Sequence, residues 1–179
     1  MLLKGMEQHL ILIDSVSKRY SATGLRVGVM ASRNHDLLET ALKFCQARLC
    51  PPNVGQFAAE AALDSPPEYS SYIYNSFLER RNYLVQALND IPGVYCPVPK
   101  GAFYTMARLP VNDAEQFAMW MLKSFEYNRQ TIMLAPGSGF YTTAGSGTQE
   151  VRIAYVLNLA DLKNAMECLR RGLEEYNSI

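Results

Sequence analysis

The sequence predicts an α/β protein. A partial parallel-sheet domain spans residues 1–65, followed by a long linking helix and a compact α+β domain over residues 66–179. Three observations carry this. The apolar run Leu10–Ile13 is bounded by polar residues, as a strand buried in a parallel sheet would be. A helix-forming stretch from Pro66 to about Asp90 is bracketed by Ser65-Pro66-Pro67 and Pro92-Gly93. Beyond it the rhythm changes to short apolar runs separated by turn signals.

After Leu10–Ile13 the chain turns polar at Asp14-Ser15-Val16-Ser17-Lys18, and Leu25 to Ala31 offers a second strand after Gly24. From Asp36 to Leu49, apolar residues such as Leu37, Leu38, Ala41 and Cys45 recur at helical spacing until Pro51-Pro52 stops the helix. Val54 to Leu63 is Ala-rich and reads as a shorter helix. Two strands and two helices cannot cover both faces of a parallel sheet, so further chain before Met1 is expected to complete this unit. Past the long helix, Val94–Val98 and Ala102–Leu109 are expected as strands joined by Pro99-Lys100-Gly101. Asn112 or Asp113 caps a helix reaching about Tyr127, Thr131–Leu134 and Val151–Leu157 are strands, and Asp161–Tyr176 is a closing amphipathic helix.

Composition excludes several function classes. Hydrophobic residues are 49 % of the 179 and charged residues 19 %, a globular mixture. Seventeen basic residues balance seventeen acidic ones, which argues against a nucleic-acid or membrane-surface protein. Of Cys45, Cys50, Cys96 and Cys168 only the first two are close, so no zinc site is expected, and the cysteines read as free thiols of a reducing compartment. The apolar runs are strand-length and no signal peptide is visible, so the expected location is the cytoplasm.

The segment that carries chemistry begins where the first strand ends, the edge at which open α/β sheets present ligand-binding groups. Lys18 lies there, flanked by Ser15 and Ser17, and Arg26 follows eight residues after the lysine, with Gly28 close behind. A dianionic phosphate is satisfied by such a set: a guanidinium fork, hydroxyl donors and backbone that approaches closely. A lysine beside that anion site can form a Schiff base with an aldehyde once its amine is partly deprotonated. The plain alternative is that Lys18 and Arg26 are solvated loop charges.

Arg152 is a second candidate. In Val151–Leu157 a period of two puts Val151, Ile153, Tyr155 and Leu157 on one face and Arg152 on the other with Ala154 and Val156. An arginine on an apolar face needs an anionic partner. Glu150 is the nearest carboxylate in sequence.

Ser15, Val16, Ser17, Lys18, Ser21, Ala22, Gly24, Arg26, Val27 and Gly28 together resemble the pyridoxal-phosphate attachment signature of class I and II aminotransferases. Pro99-Lys100-Gly101-Ala102-Phe103-Tyr104 resembles that family's small-domain hairpin, and Ala135-Pro136-Gly137-Ser138-Gly139-Phe140 its Pro-Gly-x-x-Phe loop. The likeness covers nearly the whole chain. It implies the aspartate aminotransferase-like fold type I and pyridoxal 5'-phosphate as cofactor. Lys18 would carry the cofactor as a Schiff base and later move a proton, Ser15 and Arg26 would hold the phosphate with Ser17 as a further candidate, and Arg152 would grip the substrate α-carboxylate.

The implied reaction is amino transfer between an amino acid and a 2-oxo acid, by a parent enzyme expected to be a homodimer. Family members are more than twice this length, and their aspartate at the pyridine nitrogen, stacked aromatic ring and asparagine precede the lysine strand. No position here matches them, so the chain reads as a carboxy-terminal portion, inactive alone. Two rivals stand beside this: another fold-type-I enzyme (a lyase or synthase) and a non-catalytic interaction module.

Overall fold

The computed structural model describes residues 3–178 and is a mixed α/β chain, as expected. It divides into two units, Met1–Ser71 and Tyr72–Ile179.

The first unit holds strand β1 (Ile11–Ser15), the single-turn helix α1 (Val16–Arg19), a 3-10 turn at Thr23–Leu25, strand β2 (Gly28–Ser32), and helices α2 (His35–Arg48) and α3 (Asn53–Ala62). Here the expectation of parallel strands is corrected. β1 and β2 pair antiparallel, from Ile11 opposite Ser32 to Ser15 opposite Gly28. The reason is the connection. A parallel return needs a crossover of roughly a dozen or more residues, usually a full helix. The segment between β1 and β2 contains only α1 and the 3-10 turn, so it reverses direction.

Burial is also corrected. Ile11, Leu12 and Ile13 are 50 %, 52 % and 77 % exposed, and Gly55 is the one buried residue among those described up to Ser71. Local signals nevertheless hold. Asn34 caps α2, its side-chain oxygen accepting from the Leu37 amide at 3.0 Å.

Helix α4 (Pro67–Asn89) runs without a break for 23 residues, and the division between the units falls inside it. The second unit continues with β3 (Tyr104–Arg108), α5 (Ala114–Lys123), β4 (Ala135–Pro136), β5 (Glu150–Ala154) and α6 (Leu159–Tyr176). The sheet order is β3-β5-β4, all antiparallel. β3 and β5 alternate in burial: Thr105, Ala107, Val151 and Ile153 face the core, while Tyr104, Arg108, Arg152 and Ala154 face outward. Leu84 and Leu88 of α4, Phe117 and Met121 of α5 and Leu169 of α6 are fully buried in that core. An amphipathic sheet covered on one side by helices leaves its other side free for a site.

Two further strand expectations fail for local reasons. Val94–Val98 makes only one bridge, Tyr95 to Arg108, because Pro97 and Pro99 lack amide protons and the Cys96 amide donates to Asn89 Oδ1 at 2.9 Å. Thr131–Leu134 forms no ladder. Thr131 donates its hydroxyl to the Met121 carbonyl at 2.7 Å, and pairing with β5 begins only at Ala135.

Helix α6 has a surface ion network. Arg170 and Arg171 both donate to Glu167 and hold its carboxyl at about 2, below the usual carboxylate range. A lowered folded value means stability that is present above the unfolded value of 4.5 and lost as pH falls from there toward 2. The network is solvent-facing, so removing it with Glu167→Gln is expected to cost less than about 1 kcal/mol at neutral pH. Denaturant melts at pH 7 and pH 3 check this: the difference between Glu167→Gln and wild type should shrink at the lower pH.

Candidate functional site

The lysine loop is built by the β1–β2 pair. Ser15 lies opposite Gly28, and one step further the Val16 amide donates to the Val27 carbonyl at 3.3 Å. Both ends of the excursion that carries Ser17, Lys18 and Arg26 are thereby pinned at one place. Gly28 permits this closeness, since a Cβ there would meet the Asp14 carbonyl at 3.3 Å.

Ser15 ends β1 and caps α1, its hydroxyl oxygen accepting from the Ser17 amide at 3.2 Å. Lys18 follows on the exposed side of that single turn. Arg26 adopts a left-handed backbone (φ 57°, ψ 37°) and donates from Nη1 to the Thr23 carbonyl at 2.9 Å. Ser21 is left-handed as well, at φ 52°. Two non-glycine residues in that region within one loop cost about 1–3 kcal/mol each, strain that clusters at ligand sites.

Sequence reasoning passed over three residues that shape this loop. Asp14 accepts from Arg19 Nε at 3.1 Å and from the Ser15 amide at 2.8 Å, spanning the turn on which Lys18 sits. The Arg19 guanidinium, followed by the Ser15 amide, holds the Asp14 carboxyl below its usual range. Tyr69 donates its hydroxyl to Ser21 Oγ at 3.1 Å. A polar pair at i and i+5 is a signal for Asp14–Arg19, whereas nothing in the sequence points to Tyr69.

Gly55 packs α3 against the loop. A Cβ there would lie 2.5 Å from the Leu25 carbonyl oxygen and 3.3 Å from a Val27 methyl. Gly55→Ala is therefore expected to displace residues 23–27, with an overpacking cost of about 1–3 kcal/mol. Amide NMR checks it: shifts should concentrate at residues 23–28 and leave the second unit unmoved.

In the second unit, Arg152 stands on the outward face of β5, the central strand. Its guanidinium carbon lies 4.5 Å from the Phe140 ring centroid and 5.2 Å from that of Tyr104. Among the described residues no carboxylate lies within 4.0 Å of it. Glu150, the nearest carboxylate in sequence, accepts from the Tyr141 hydroxyl instead. Aromatic faces stabilise the cation while leaving its in-plane N–H edge for an anion. Arg152 also borders a cavity of about 630 Å³ lined by residues 129–134 and by α6.

The two candidate clusters, Ser15-Ser17-Lys18-Arg26 and Arg152, lie in different units. No group of three or more His, Cys, Asp or Glu able to hold a metal ion occurs among the described residues, and no described helix is long and apolar enough to cross a membrane.

The family model described as aminotransferase class I and II matches residues 2–169. An aspartate aminotransferase of Rhizobium meliloti is 30 % identical over 175 residues, covering 91 % of this chain and 40 % of that protein. Among solved structures, an aromatic aminotransferase from Pyrococcus horikoshii OT3 superposes with TM-score 0.81 at 30 % identity, over 99 % of this chain and 46 % of the other. An alanine aminotransferase from Pyrococcus furiosus gives 0.76 at 29 % identity, over 92 % and 42 %. The chain thus spans about 40 % of the length of the curated relatives it matches.

Proposed function

The chain belongs to the class I and II aminotransferase family, and from that premise we propose that it forms the lysine-bearing and carboxylate-binding portion of a pyridoxal-phosphate-dependent enzyme that transfers an amino group between an amino acid and a 2-oxo acid. The observation that carries this is the pinned loop: Ser15, Ser17, Lys18 and Arg26 lie on a single excursion closed by Ser15 opposite Gly28. That donor set fits the cofactor, whose aldehyde calls for a primary amine and whose phosphate calls for a guanidinium and hydroxyls.

When bound, pyridoxal phosphate supplies an aldehyde carbon and a ring that accepts electrons from the substrate α-carbon. Lys18 Nζ would hold the cofactor by its aldehyde and would be the amine that moves the substrate α-proton. Arg26 neutralises phosphate charge, and the hydroxyls of Ser15 and Ser17 donate to phosphate oxygens. Arg152 would bind the substrate α-carboxylate through its in-plane N–H edge. The family's pairing in a homodimer is part of the same proposal. The relatives' names span aspartate, alanine and aromatic amino acids.

Amino transfer is measured for the 179-residue chain with aspartate, alanine or tyrosine and 2-oxoglutarate. The measurement is then repeated with the part of the Rhizobium relative that precedes the matched region supplied in trans. The expected result is no turnover above background by the chain alone and transfer on complementation. Robust turnover by the chain alone refutes the expected inactivity. Elimination products in place of amino transfer would favour the lyase reading.

A further inference from the structure

Arg152 and Glu150 are two residues apart on β5, so their side chains leave the same face, roughly 7 Å apart along the strand. Both are long enough to meet, and an arginine beside a flexible carboxylate is ordinarily captured by it. Here it is not. The Glu150 carboxylate accepts from the Tyr141 hydroxyl at 2.5 Å, and the Glu150 carbonyl accepts from the Gly137 amide at 2.7 Å. One residue thus fastens both ends of the turn 137–141, whose remaining ring, Phe140, lies 4.5 Å from the Arg152 guanidinium.

Two glycines make room for this arrangement. A Cβ on Gly137 would lie 2.8 Å from Glu150, and one on Gly147, itself at φ +71°, would lie 2.5 Å from the Tyr141 ring. The turn is seated closely, and its tyrosine is aimed at Glu150, the acid two residues from Arg152 on the same strand.

We propose that Tyr141 is a positioning residue: by holding the Glu150 carboxylate it keeps that acid off Arg152 and leaves the guanidinium open to a carboxylate ligand from solution. The Glu150 bond in turn raises the Tyr141 pKa above its ordinary value. This rests on reading Arg152 as a carboxylate receptor, and the test separates the two claims.

The 179-residue chain is titrated with sodium succinate at constant ionic strength, following the β5 backbone amides by NMR. Wild type is expected to show a saturable shift at residues 151–154, and Arg152→Lys none. Tyr141→Phe releases Glu150, and binding should weaken about five-fold, the scale of an exposed ion pair. Tyr141→Phe with Glu150→Gln removes the competitor, and affinity should return to within about two-fold of wild type. A purely structural role for Tyr141 does not produce that rescue.

Equal binding by wild type and Tyr141→Phe, or no rescue in the double variant, overturns the inference while the Arg152 reading stands. No saturable shift in wild type, or an unchanged one in Arg152→Lys, overturns the Arg152 reading and this inference with it.

Discussion

Replacing Lys18 by alanine is expected to abolish site-specific capture of pyridoxal phosphate. The chain has six lysines: Lys4, Lys18, Lys43, Lys100, Lys123 and Lys163. Of these, Lys18 sits on the loop that also carries Ser15, Ser17 and Arg26 and is closed on itself by β-pairing. An anion site beside the amine raises the local concentration of the aldehyde, and positioning of this kind outweighs differences in intrinsic lysine reactivity. Borohydride reduction followed by peptide mapping should therefore find Lys18 labelled over the other five by on the order of ten-fold or more. In Lys18→Ala that excess disappears and the remaining lysines stay at background. Arg26→Ala should reduce the Lys18 label by removing a charge-assisted phosphate contact, worth about 1.5–3 kcal/mol. Uniform labelling of all six lysines in wild type would refute the cofactor assignment.

Leu88→Ala is expected to be strongly damaging, because it empties a fully buried site in α4. Deleting such a side chain costs about 2–5 kcal/mol, from lost transfer energy together with the cavity left behind. For a unit of this size that lowers the melting temperature by roughly 10–20 °C. Trp120 is the only tryptophan, and it packs against Phe117, Phe125 and Tyr176 in the second unit. Its fluorescence therefore reports that unit's unfolding, and a shift below about 4 °C would show that the site collapses around the deletion.

Punctuation in the sequence was reliable where the physics is local. The Ser65-Pro66-Pro67 and Pro92-Gly93 signals bracket a helix observed at Pro67–Asn89. Asp113 caps α5 through the Glu115 and Gln116 amides, one of the two residues expected to do so. Alternation separated Arg152 from the buried Val151, Ile153 and Tyr155, although the strand ends at Ala154 and Leu157, expected on the same face, is exposed.

Long-range features were less legible. An apolar run such as Leu10–Ile13 announces a strand but not the direction of its partner, and the return at Gly28–Ser32 proved antiparallel. The strand expected at Thr131–Leu134 forms no ladder, and a hydroxyl bond to Met121 holds its start elsewhere. At the sites, the chemistry-bearing residues were visible as a pattern, but their supports were not. Tyr69 and Tyr141 act across separations of 48 and 9 residues through single hydroxyl bonds, which leave no periodic trace.

The wet faces of β1 and β2 bear on how the polypeptide behaves in time. A two-stranded ribbon with little apolar area withdrawn from water is marginal by itself, so its amides should open far more often than those of α5 or α6. Deuterium would then enter residues 11–15 and 28–32 long before the second unit, and a protease would cut the first unit early. The lysine loop hangs from that ribbon, so whatever covers Ile13 and Val29 also sets how long Lys18 and Arg26 stay on the same side of it.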